Sequence, residues 1–181
     1  MTGVDDCRLV VVDAQRVFAD PASPWGAPRF AEAHANVRRL VDAHHGTVVH
    51  TRFIAPAEPT GAWVAYYEQF PFALQPPDSP LYELVDDPGD APVVVATTFG
   101  KWGPDLAALI GQGPVLLTGV STDCCVLSTA LGAADAGVEV RVVADACAGA
   151  TDADHERALA VMALYAPLIT ITTTEAVLAS V

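Results

Sequence analysis

The segment Pro114 to Val126, PVLLTGVSTDCCV, reads as a strand, a sharp turn and the start of a helix. Val115, Leu116 and Leu117 form a short apolar run bounded by Pro114 and Gly119, the pattern of a strand buried on both faces. Ser121 and Thr122 can cap the helix that follows, and Asp123 suits the positive end of its dipole. Cys124 and Cys125 then fall in the first helical turn. Unpaired N–H groups and partial positive charge there favour a thiolate and can hold an oxyanion. The unit therefore predicts a nucleophile and its charge stabiliser in one place. Against this stands the ordinary use of free cysteine as a small buried hydrophobe.

Working outward, Leu9 to Val12 reads as another buried strand, ending on Asp13 where α/β sheets place ligands. A solvated loop acid or helix cap is the competing reading of Asp13. Phe18, Pro21, Pro24 and Trp25 follow in an irregular stretch. Ala27 to His45 has helical spacing, with Phe30, Ala33, Val37, Leu40 and Val41 on one face, and Gly46 stops it. Thr47–Thr51 is a strand leading to Arg52. The stretch 53–91 is long, rich in proline and aromatic, and expected to form a partial lid containing a short helix over Trp63–Phe70. Pro92–Thr97 is a strand, Thr98 to Trp102 a loop carrying Lys101, and Pro104–Ile110 a helix. The helix after the cysteines runs from Thr122 to Ala136. Then come a strand over Val138–Val143 leading to Asp145, a helix over Asp152–Tyr165, a strand over Leu168–Ile171 and a closing helix over Thr174–Leu178. Strands alternating with helices at this spacing predict a parallel sheet covered on both sides, in a single domain over 1–181.

The bulk properties narrow the function classes. The 181 residues can bury a substantial core, and 52% hydrophobic against 17% charged residues excludes a disordered chain. A formal charge of −13 argues against nucleic acid and anionic membrane as partners. No apolar run reaches spanning length. The acidic start MTGVDDC lacks the basic flank of an export signal, and four cysteines without CxxC spacing suit reduced thiols in the cytoplasm. His34, His44, His45 and His50 show no metal-ligand spacing and read as surface or packing residues.

Three polar groups thus stand at carboxyl ends of strands: Asp13, the cysteines, and the loop of Lys101. A thiol nucleophile needs a base for its proton and a cation to steady the thiolate. With VVDAQRVF (11–18), VVHTR (48–52), the run LLTGVSTDCCVLSTALGAADAGVEVRVVADACAG (116–149) and the following helix with His155, the chain resembles the isochorismatase-like cysteine hydrolase family, which includes nicotinamidases and related amidases. The resemblance implies a three-layer α/β/α, Rossmann-like fold with a six-stranded parallel sheet in order 3-2-1-4-5-6. It implies Cys125 as nucleophile, with Cys124 in a variable position, Asp13 as general base and acid, and a cis peptide at Val120–Ser121. It also implies dimers or larger assemblies, so a homodimer or homotetramer is expected.

The resemblance places the family's lysine at Val95 or Ala96, where none exists. Either Lys101 reaches back from its loop, or the cation is missing, Lys101 faces solvent or substrate, and Arg52 supplies the charge. The second reading is preferred here. The expected function is a cofactor-free hydrolase of a C–N bond in a small amide or carbamoyl compound, acting through a thioester, with no metal. Cys125 attacks, Asp13 moves the proton, the turn at Val120, Ser121 and Cys124 holds the oxyanion, and Lys101 is the third catalytic candidate if it reaches back. Phe18, Trp25, Arg52, Trp63, Tyr66 and Trp102 are the candidate substrate contacts. The alternatives are a catalytically impaired small-molecule-binding protein, an isochorismatase-type vinyl ether hydrolase, and redox sensing by the vicinal thiols.

Overall fold

The computed structural model describes residues 7–180. The acidic start at 1–6, on which the reading of no export signal largely rests, lies outside them. Six strands form one sheet: β1 (Arg8–Val12), β2 (Val48–Phe53), β3 (Val93–Ala96), β4 (Val115–Val120), β5 (Val140–Ala148) and β6 (Ile169–Thr172). Their order is β3-β2-β1-β4-β5-β6 and every pairing is parallel, as expected. Helices α1 (Arg16–Ala19), α2 (Phe30–Ala43) and α7 (Thr174–Leu178) cover one face. Helices α4 (Pro104–Ile110), α5 (Leu127–Asp135) and α6 (Asp152–Ala163) cover the other. Helix α3 (Ala62–Gln69) lies in the 53–91 stretch.

The core follows from the period-2 geometry of strands buried on both faces. In β1, Leu9 and Val11 pack with Phe30, Val37 and Leu40 of α2. Val10 and Val12 pack with Leu106, Val126 and Met162 on the opposite side. All four β1 side chains are at most 1% exposed. In α2, Phe30, Ala33, Val37 and Leu40 recur at helical spacing and are buried, together with His34.

Several local expectations need correction. The helix after the cysteines begins with a π-helical turn, Thr122–Val126, and Ser121 makes no side-chain cap. The Thr122 hydroxyl instead meets His155 Nδ1 at 2.8 Å. Strand β5 does not stop before Asp145 but continues to Ala148, with a register shift against β4 between Leu117 and Gly119. Asp145 caps α7 by accepting from the Thr174 N–H and hydroxyl at 2.7 and 2.9 Å. The residues after Gln15, read as irregular, form the one-turn α1.

The 53–91 stretch is fastened to the sheet by Gln15. Its amide donates to the carbonyls of Phe53 (2.9 Å) and Tyr82 (2.7 Å) and its oxygen accepts from the Phe53 N–H (2.8 Å). Farther along, Asp86 accepts from Arg38 and contacts His34 Nε2 at 2.7 Å. His34 is thus a packing residue, stacked on Phe30.

Two backbone features bring β1 and β4 together at their carboxyl ends. Gly119 has φ +106, and a Cβ there would lie 2.1 Å from the Val12 carbonyl oxygen. Only glycine permits that approach. Opposite it, Asp13 adopts φ +46, in the left-handed region that aspartate tolerates better than most residues. Because Val12 pairs with Gly119, Asp13 arrives beside the turn that carries the cysteines.

Candidate active site

Cys125 sits in the π-helical turn and is 5% exposed. The peptide joining Val120 to Ser121 is cis. The N–H groups of Cys124 and Val126 both donate to the Ser121 carbonyl, at 3.2 and 3.0 Å. The Cys124 N–H, expected to help hold an oxyanion, is therefore engaged within the turn.

Asp13 is fully buried and held from two sides. Its Oδ1 accepts from the Thr51 hydroxyl at 2.6 Å, while its backbone N–H donates to the same Thr51 oxygen at 3.1 Å. Its Oδ2 lies 2.9 Å from Lys101 Nζ. This corrects the preference for Lys101 as a solvent- or substrate-facing residue: the loop after β3 turns back and buries it. The ammonium also donates to the Thr98 carbonyl at 2.6 Å and stands 5.3 Å from the centre of the Phe53 ring. Thr129 ties this loop to the cysteine turn. Its hydroxyl accepts from the Lys101 N–H (2.9 Å) and donates to the Cys125 carbonyl (2.6 Å).

The electrostatics also differ from the sequence expectation. Burial, foremost, and the Asp13 carboxylate push the Cys125 thiol well above its ordinary pKa, while Lys101 pulls it down by less. The resting group is a neutral thiol, not the thiolate expected at a helix terminus, because desolvation outweighs the helix end. Cys124 is pushed up to about 12, first by burial and then by Asp123.

Cys125 opens onto a cavity of about 150 Å³. Phe18, Trp25, Trp63 and Tyr66 line it, as the sequence suggested, together with Ser121 and Cys124. Arg52 and Trp102 do not. The Arg52 guanidinium donates to the carbonyls of Tyr82 (2.8 Å) and Pro77 (3.1 Å), fastening the 53–91 stretch. Trp102 packs against Gly132 and the core side of Leu106 and Ile110. The cavity adds Phe53, Tyr67, Phe99 and Asp123, which sequence reasoning did not single out as substrate contacts. Helix α3 supplies Trp63, Tyr66 and Tyr67 at i, i+3 and i+4, a spacing that did mark one face. Burial pushes the phenols of Tyr66 and Tyr67 up to about 12, so both are neutral donors.

Comparison with known proteins identifies the family and the fold. The family described as Isochorismatase domain matches residues 7–176. Isochorismatase domain-containing protein 2 of Xenopus laevis is 32% identical over 118 residues, covering 63% of this chain and 55% of that protein. The match thus spans about half the length of that relative. A cysteine hydrolase from Pseudomonas syringae pv. phaseolicola is similar in fold, with a TM-score of 0.86 over 99% of this chain and 93% of that one, at 19% identity. A pyrazinamidase of Pyrococcus horikoshii, solved in complex with zinc, is 28% identical, with a TM-score of 0.75 over 93% of this chain and 99% of that one. Among the described residues no group of three or more His, Cys, Asp or Glu is placed to hold such an ion.

Proposed function

Since the chain belongs to the isochorismatase domain family, we propose that it is a cysteine-dependent hydrolase of the C–N bond in a small amide or carbamoyl compound. The observation that carries this reading is that Cys125 lines the cavity while the buried Asp13–Lys101 pair, which does not line it, acts on its thiol. A neutral thiol beside a carboxylate is arranged for proton transfer as substrate binds, with the base already in place.

The steps follow from that arrangement. The substrate carbonyl enters over Cys125. The thiol proton passes to the Asp13 carboxylate as sulfur bonds to the carbonyl carbon. The resulting oxyanion is held by N–H groups of the turn, among which the Cys125 N–H is the one placed between the two donors taken by Ser121. Lys101 offsets the negative charge during transfer. Collapse breaks the C–N bond, and the leaving nitrogen takes the proton from Asp13. Water then attacks the thioester with Asp13 as base, releasing the acid and restoring the thiol. A 150 Å³ cavity is about the size that admits a single six-membered ring, so the substrate is small or leaves part of itself outside.

The impaired-binder alternative was motivated by a missing cation, and Lys101 beside Asp13 removes that motive. The test is turnover of a panel of small amides with Cys125→Ala and Asp13→Asn, together with mass detection of an acyl adduct on Cys125. The reading expects hydrolysis by the native protein, an adduct of acyl mass, and loss of both in Cys125→Ala. Undiminished turnover by Cys125→Ala would sink it.

A further inference from the structure

The cavity carries a charge bias that the hydrolytic steps do not use. Its walls are aromatic, with Trp25, Trp63, Tyr66 and Phe99 meeting ring to ring at centroid distances from 5.3 to 6.1 Å. Its polar end holds one carboxylate, Asp123. Among the described residues no lysine, arginine or histidine lines the cavity, and the Lys101 ammonium is turned to Asp13 and the Thr98 carbonyl. Asp123 Oδ1 accepts from the Ala150 N–H at 2.9 Å, which fixes the group. Among the described residues its Oδ2 has only the weak Cys124 thiol donor, at 3.5 Å. The carboxylate acts on its surroundings, because it pushes the Cys124 thiol up beyond the effect of burial, with Asp154 adding in the same direction.

Aromatic faces attract cations through their quadrupoles, and a fixed carboxylate does so directly. An anionic group would find no cation in the described lining and would meet the Asp123 carboxylate at its polar end. We infer that this cavity selects small amides bearing a positive charge on or beside a ring-sized acyl group, with Asp123 as the specificity-determining residue. The inference rests on the amide-hydrolase reading of the same cavity. It also sets isochorismate-like substrates aside, since their carboxylates would face Asp123. The expected discrimination is about tenfold per charge step, between the few-fold worth of an exposed ion pair and the hundredfold of a well-buried one.

Three ring amides of similar size and different charge provide the test: 3-carbamoyl-1-methylpyridinium, benzamide and 3-carbamoylbenzoate. Their kcat/KM values are compared in the native protein and in Asp123→Asn, which keeps an oxygen for the Ala150 N–H. In parallel, the pocket thiols are labelled with two methanethiosulfonates, one carrying trimethylammonium and one sulfonate. In each, thiol sulfur bonds to the reagent's divalent sulfur, methanesulfinate leaves and the thiol proton goes to solvent. Intact mass reads the rates without requiring turnover.

The inference expects pyridinium before benzamide before benzoate, and a cation-to-anion labelling ratio that falls about tenfold in Asp123→Asn. The distant surface charges are unchanged in that variant, so the fall isolates Asp123. If no amide is hydrolysed but labelling stays cation-selective and Asp123-dependent, the amidase reading fails and the charge selectivity stands. An unchanged labelling ratio in Asp123→Asn, or benzoate turned over as fast as pyridinium, overturns the inference. Should Asp123→Asn not fold, Pro24→Lys adds a cation at the exposed rim. It should raise the relative rate of the anionic reagent, and an unmoved ratio there counts against the inference equally.

Discussion

Lys101 Nζ lies 2.9 Å from Asp13 Oδ2, and both side chains are fully buried. Removing one partner of such a pair leaves an uncompensated charge, at a cost of about 3–5 kcal/mol. Lys101→Met should therefore lower stability by that order, measured by urea unfolding, and should lower kcat/KM by about a hundredfold or more. The double variant Asp13→Asn, Lys101→Met should recover much of the stability and none of the activity. Equal stability of Lys101→Met and the native protein would show that the pair is not buried as described.

The thiols give a pH dependence with a definite sign. In the folded state Cys147 is pushed up to about 12 by burial, whereas an unfolded thiol ionises near 8.5. Between those values the folded state holds more protons than the unfolded one, so stability must fall as pH rises through that window. Cys124, Cys125, Tyr66 and Tyr67 are shifted upward too and act in the same direction. For the buried Cys147 the slope is about 1.4 kcal/mol per pH unit. Urea midpoints at pH 7, 9 and 10.5 should decline, and Cys147→Ala should flatten the decline. Iodoacetamide should label Cys125 slowly at pH 7, with a rate still climbing at pH 10. A labelling plateau near neutrality would contradict a protonated resting thiol.

The Thr129 hydroxyl joins the segments carrying two of the candidate catalytic residues, accepting from the Lys101 N–H and donating to the Cys125 carbonyl. Thr129→Val keeps the shape and removes both bonds. Leaving the buried Lys101 N–H and Cys125 carbonyl without that partner should cost about 1–3 kcal/mol. Its effect on turnover should appear in kcat more than in KM, because no Thr129 atom lines the substrate cavity. A variant with lowered stability and native kcat would reduce Thr129 to a packing role.

The parallel sheet, the helix spans over Pro104–Ile110 and Thr174–Leu178, and the placing of Asp13 and the cysteine turn at strand ends were legible because they depend on local apolar runs and punctuating Gly and Pro, whereas the strand order was legible only through the family resemblance. Lys101 was misjudged because its place depends on a loop reversal after β3. That reversal is stabilised by contacts to Asp13, Thr98 and Thr129, the first and last distant in sequence. Arg52 looked like a site cation because it follows a strand end, yet its partners are the backbone carbonyls of Tyr82 and Pro77. No periodicity announces such long-range bonds. Gln15, which clamps Phe53 and Tyr82, was invisible for the same reason. The thiolate expectation failed on magnitude: desolvation at a nearly buried position exceeds what a helix end supplies.

Gly119 and Gly111 separate backbone conformation from close approach. Both have positive φ, +106 and +66, so alanine is strained at either position. At Gly111 nothing stands within 4 Å of the added Cβ, and Gly111→Ala should cost about 1–3 kcal/mol, the strain of a backbone pair, φ +66 and ψ −136, that essentially only glycine adopts. At Gly119 the Cβ would lie 2.1 Å from the Val12 carbonyl oxygen and 2.7 Å from its nitrogen, both backbone atoms in the middle of the sheet. Relief requires β4 to move away from β1, which breaks the ladder and separates Cys125 from Asp13. Gly119→Ala should therefore lose several times the stability lost by Gly111→Ala, and any folded fraction should lack hydrolytic activity. Thermal unfolding of the two variants side by side reads the difference. Similar melting temperatures would mean that β1 and β4 do not approach as closely as Val12 and Gly119 do here.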